Sequence, residues 1–142
     1  MSTLTATTPA TMHRQLRHRA VAVTATVVTT LALWTLAVPL LEVSLTVRTP
    51  GSSTEQNVGA AAVLATSLLV SLAGWGLLAL LEHHTPRART VWTGAAATVL
   101  LVSLAGPLTA AATSAAAAWL MLLHLSVAAV LIPLLRRTTV PR

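Results

Sequence analysis

Few side chains in this sequence can do chemistry, and their setting decides which chemistry is open to them. His124 stands inside an apolar stretch, AWLMLLHLSVAA from Ala118 to Ala129. An imidazole there can take or give a proton, or bind a ligand. Glu42 follows a long uncharged run, just after Pro39. Turned into the mouth of a bundle it would act as an acid or a cation ligand. As an interfacial carboxylate it would be solvated or paired with Arg48, worth under about 1 kcal/mol. Thr30, Ser71 and Ser103 bring hydroxyls into other apolar runs, and Trp75 sits between Gly74 and Gly76.

The rest of the composition narrows the chemistry sharply. Of 142 residues, 55% are hydrophobic and only 8% charged, against roughly a quarter charged in a soluble domain. Too few charges remain to cover a water-facing surface, so the chain reads as a membrane protein. With no cysteine there is no disulfide, thiolate nucleophile or thiolate metal site. Three scattered glutamates make a calcium cage implausible. No Walker loop, dinucleotide fingerprint, HExxH or GxSxG motif occurs. No cofactor is implied.

Uncharged apolar runs cover Ala20–Leu41, Val58–Leu81, Val91–Leu108 and Ala115–Leu135. Each is close to the roughly 20 residues needed to cross about 30 Å of hydrocarbon. Backbone groups in lipid must pair within their own segment, so such runs should be helices. The expected fold is therefore an all-α membrane protein of four transmembrane helices in an antiparallel bundle. All the arginines but Arg48 fall in three segments that four spans place on one side. By the positive-inside bias both termini are cytoplasmic, in the cell membrane. The net charge of +6 then needs no nucleic-acid partner. A cleaved signal peptide would have an apolar core of about 7–15 residues, shorter than the first run.

The linkers complete the outline. Residues 1–19 read as a disordered, basic cytoplasmic N-terminus, 20–135 as the transmembrane domain and 136–142 as a basic tail. The outer loop 42–57 carries a turn at Pro50–Gly51, and Val43–Val47 alternates as a short extended piece would. Glu82, His83 and His84 mark a surface boundary. Trp34, Trp92 and Trp119 read as interfacial belt residues. Pro39, Pro107 and Pro133 should kink or end helices near span ends. Ser67, Ser71 and Gly74 form one small-residue stripe, and Gly94, Ala97 and Thr98 another. The heptapeptide LLVSLAG occurs twice, at Leu68–Gly74 and Leu100–Gly106, on spans of opposite direction. In a sequence so rich in leucine and alanine the echo is weak evidence of an inverted repeat.

Counting 1.5 Å per residue from the cytoplasmic ends places Thr30, Ser71, Ser103 and His124 at depths of roughly 15 to 18 Å. Each helix thus offers a hydroxyl or an imidazole near the midplane. His124 either bonds Ser71, Ser103 or Thr30 as helix glue, or lines a central pocket with them. Trp75, roughly 10 Å inside its boundary, either packs across a helix interface or walls that pocket. No second histidine or carboxylate shares the depth of His124, so no metal site is expected.

Several features occur here in a familiar order. They are the arginine-rich start, EVSLTVR at Glu42–Arg48, AGWGLLALLE at Ala73–Glu82 and Trp92 at the head of the third run. LLHL at Leu122–Leu125 and VLIP at Val130–Pro133 follow. Over roughly Arg14–Arg137 the chain resembles a small four-helix family of uncharacterised integral membrane proteins from high-GC Gram-positive bacteria. The resemblance implies architecture and, as that family is a domain of unknown function, no chemistry.

Three functional classes follow. The first is a non-enzymatic membrane protein, accessory or structural, or a binder of a lipophilic small molecule through Thr30, Ser71, Trp75, Ser103 and His124. The second is an intramembrane cyclase or isomerase acting on a lipid, polyketide or terpenoid, with Glu42 and His124 as proton-transfer groups. The third, a small multidrug-type exporter, needs a glutamate embedded in the first span, and Ala20–Leu41 is uncharged. A homo-oligomer fits any of these. A cysteine at Ser52 in this cysteine-free chain should label from outside intact cells. Labelling only after permeabilisation would reverse the topology.

Overall fold

The computed structural model describes residues 9–48 and 54–138. The Pro50–Gly51 turn, Ser52, the first eight residues and the end of the basic tail lie outside them. Helix α1 runs Pro9–Thr35 and passes into a π-helical turn, Leu36–Leu40. A hairpin follows, β1 (Thr46–Arg48) with β2 (Glu55–Asn57). Then come α2 (Ala60–His84), α3 (Ala88–Ser103), the short α4 (Ala105–Ala110) and α5 (Ser114–Arg136). Four stretches are long and apolar enough to cross a membrane: Met12–Leu40, Ala60–His84, Ala88–Ala110 and Ser114–Arg136.

The burial pattern is inverted relative to a water-soluble bundle. Leu69, Leu101 and Val102 are about 70% exposed, while Thr26, Thr30, Ser67 and Ser71 are buried. That inversion suits lipid, which is as apolar as leucine and gives helices no hydrophobic reason to associate. Close packing of small residues takes over. On α2, Val63, Ser67, Ser71 and Leu78 are buried at helical spacing; on α1, Ala22, Thr26 and Thr30 are. Helix α1 packs extensively against both α2 and α5. Helix α3 also packs on α2 and α5, but it is the least buried of the four spans.

At the arginine-rich end a polar clasp ties three helices together. Arg19 is 4% exposed, and its Nη2 donates to both oxygens of Glu82, at 2.7 and 2.6 Å. Its Nε donates to Thr138 Oγ1 at 3.1 Å, and Gln15 donates to the Thr138 carbonyl at 3.1 Å. Thus α1, α2 and the end of α5 meet at one guanidinium. Glu82 is not the plain surface marker its position suggests. The basic stretch preceding Ala20 is helical from Pro9 and continuous with the first span.

At the opposite end the hairpin pairs Thr46 with Asn57, Val47 with Gln56 and Arg48 with Glu55. Arg48 binds Glu55 at 3.1 Å and not Glu42, since the antiparallel register sets their side chains opposite each other. Both partners are exposed, so the pair contributes little. Val47 also bridges to Ala111, and Ala112 donates to the Thr46 carbonyl at 3.0 Å. Buried Leu45 joins Ala37, Ala116, Leu120 and Leu123 in an apolar cluster beneath the hairpin.

The prolines act as their chemistry requires. Pro39 lacks an N–H and crowds the carbonyl four residues back, so the turn widens, and Leu41 donates to Leu36 at 3.0 Å. Glu42 then reverses the chain at φ 53°, a left-handed conformation unusual for a side-chain-bearing residue. Pro107 stands four residues after Ser103, where α3 ends. The two LLVSLAG copies therefore differ: the first lies in unbroken α2, the second straddles the α3–α4 break. The stripe Gly94, Ala97 and Thr98 is exposed, with open space around Gly94, so it packs no helix among the described residues.

Replacing Arg19 by leucine should destabilise the bundle by about 3 kcal/mol, because it leaves the Glu82 carboxylate unpaired at a helix junction. Adding Glu82→Leu should restore most of the loss. Thermal unfolding in detergent checks both, and a double variant no more stable than Arg19→Leu would refute the pairing.

Candidate functional site

Helices α2 and α5 both bridge α1 and α3, and the space they leave is a cavity of about 590 Å³. It runs along the helices, from Ala62 to Leu77 on α2, Trp92 to Ser103 on α3 and Leu120 to Ile132 on α5. At 1.5 Å per residue this is a slot of roughly 16 to 22 Å. Its wall is mostly alanine, valine and leucine. The polar groups on it include Thr30, Ser67, Ser103 and His124.

Three of the expected midplane residues, Thr30, Ser103 and His124, do line one cavity. They do not bond to one another. His124 Nδ1 lies 2.7 Å from the Leu120 carbonyl, one turn back on its own helix. Ser103 Oγ donates to Leu100 at 2.8 Å, and Thr30 Oγ1 lies 3.0 Å from Val27 and 3.1 Å from Thr26. Hydroxyls at one helical depth find their own backbone closer than a neighbouring helix. His124 Nε2 makes no protein hydrogen bond among the described residues.

Ser71 and Trp75 do not line this cavity. Ser71 is wholly buried and its Oγ meets no partner among the described residues. Trp75 is half-buried and packs against the cluster of Ala22, Leu78, Trp92, Leu131 and Leu135. Trp92 takes the wall position instead. It is 1% exposed, and its indole N–H donates to the Gly74 carbonyl at 2.8 Å. A Cβ on Gly74 would stand 3.5 Å from Leu131 and 3.7 Å from the Trp92 ring. Both are ordinary van der Waals distances, so the indole is held at this end of the slot by its bond to the Gly74 carbonyl. Depth counting places Trp92 at the interface and so reads it as a belt residue. Its partner lies eighteen residues earlier on another helix, which nothing local signals.

Glu42 belongs to a second, shallower cavity of about 400 Å³ under the hairpin, with Trp34, Val38, Asn57 and Gly59. Val58 borders both cavities, and Trp34 Nε1 donates to its carbonyl at 2.8 Å. Glu42 lines only the shallow cavity and His124 only the slot. The structure therefore does not bring Glu42 and His124 into one chamber. No group of three or more histidine or acidic residues suited to a metal ion is found among the described residues.

Ser71→Ala should leave the unfolding temperature unchanged or slightly raise it, because it removes a buried, unpartnered hydroxyl. Trp92→Ala should destabilise by roughly 3–5 kcal/mol through loss of a fully packed ring. Thermal unfolding of both in detergent tests these placements. A large loss for Ser71→Ala would mean its hydroxyl is bonded.

Comparison with known proteins gives a family and no activity. No curated protein and no solved structure matches the chain. Residues 10–141 do match a family, and by that match over nearly its whole length the chain belongs to the Family of unknown function (DUF6069).

Proposed function

We propose that this small multi-pass protein lies in the cytoplasmic membrane, arginine-rich face inward, and takes a lipophilic small molecule into the slot between α2, α3 and α5. The observation that carries the reading is an apolar space of about 590 Å³ within the spans, with Thr30, Ser103 and His124 set into its wall. Ligand sites have that makeup: mostly apolar lining and a few placed polar groups. The asymmetric role of α3 supports the reading. It is the least buried span, so moving it admits a ligand from the bilayer at small cost in contacts.

Handling, as an accessory or carrier protein, fits better than catalysis. An intramembrane cyclase or isomerase needs its acid and base at one substrate. Glu42 and His124 line separate cavities. A proton-coupled exporter is favoured still less, because no carboxylate lines the slot.

Organic extraction of the protein, purified gently from its membrane, tests the proposal by mass spectrometry. Wild type should carry about one lipophilic molecule per chain. Ala95→Phe, which places a ring in the slot, should fold with a similar unfolding temperature and carry none. The same lipid set recovered from both proteins would refute the reading.

A further inference from the structure

The polar groups on the slot wall share a property that specifies what they can recognise. Thr30, Ser67, Trp92, Ser103 and His124 each carry a potential donor, and each engages a backbone carbonyl with it. The hydroxyls of Thr30, Ser67 and Ser103 lie 3.0, 3.1 and 2.8 Å from the carbonyls of Val27, Leu64 and Leu100. The Trp92 indole N–H lies 2.8 Å from Gly74, and His124 Nδ1 lies 2.7 Å from Leu120. A carbonyl has no proton, so in every one of these bonds the hydrogen belongs to the side chain. In its neutral form the His124 ring with its hydrogen on Nδ1 keeps a bare lone pair on Nε2. Pro107 adds to the imbalance, bringing no N–H back to the Ser103 carbonyl. Thr66, exposed on α2, also borders the slot, and its hydroxyl makes no hydrogen bond among the described residues.

Apart from Thr66 at its exposed edge, the slot therefore offers lone pairs, its other side-chain hydrogens being engaged by backbone carbonyls. We infer that its ligand is a lipophilic hydrogen-bond donor, a long-chain alcohol or alkylphenol, whose hydroxyl donates to His124 Nε2. This rests on the proposed binding of a lipophilic molecule and adds its polarity. Ethers, ketones and esters of the same shape bring only acceptors, which would face an acceptor at His124 and find no partner there. The volume suits the class: at about 30 Å³ per water-sized group, 590 Å³ holds roughly 20 non-hydrogen atoms.

The test uses 4-dodecylphenol and its methyl ether, 4-dodecylanisole, which differ only in the donor. Each is titrated into the full-length protein in phosphatidylcholine nanodiscs, read by tryptophan emission and by the ¹⁵N resonances of labelled histidine. The phenol should bind about tenfold more tightly than the ether, the worth of one good hydrogen bond. It should shift the His124 Nε2 resonance where the ether does not. In His124→Phe the two probes should bind within about twofold of each other. Should that variant fail to fold, the resonance in wild type decides alone. Equal binding of both probes to wild type, with no Nε2 shift, overturns the donor specificity and leaves the lipophile site standing. No saturable binding of either probe, or binding unchanged in Ala95→Phe, overturns the site and the specificity together.

Discussion

Hydrocarbon supplies no hydrogen bonds, and the arrangement of this protein follows from that. A hydroxyl or imidazole on a spanning helix must find its partner within the protein. Here the nearest partner is almost always the carbonyl one turn back on the same helix. Thr26 bonds Ala22, Ser103 bonds Leu100 and His124 bonds Leu120. The polar residues are thereby satisfied without gluing helices together, and they can stand around a cavity as readily as in a packed seam.

Helix association then rests on other devices, placed at the two ends. At one end Arg19 gathers Glu82 and Thr138, so α1, α2 and α5 are pinned where the clasp is still within reach of interfacial water. At the other, the hairpin lies over Leu45 and pairs with the α4–α5 linker through Val47 and Ala111. Between the ends, small residues bring α1 against its neighbours. Helix α3 has neither clasp nor hairpin of its own. Its main anchor is Trp92, bonded to the Gly74 carbonyl. A bundle fixed at both ends and looser at one helix leaves a slot along its middle.

Local chemistry also shapes the two ends of α3. Pro107 interrupts a heptapeptide that is continuous helix in α2, so identical residues produce a straight span in one place and a break in another. That break sets Ser103 at the last turn of α3, on the slot. Pro39 does the comparable work on α1, widening the final turn and turning Glu42 toward the shallow cavity beneath the hairpin.

The four apolar spans and their approximate limits were legible in the sequence. Both depend on local quantities: apolar run length, helical rise and the position of charges. Orientation of a side chain around its helix is different, because it depends on which neighbours arrive. Ser71 shares its depth with the slot residues yet is sealed within the buried stripe of α2, while Trp92, counted as interfacial, is almost fully buried. Arg48 pairs with Glu55 because the hairpin register opposes them, and Glu82 meets Arg19 because two helix ends converge. Sequence shows how far along its helix a residue lies; packing between helices alone decides what it faces there.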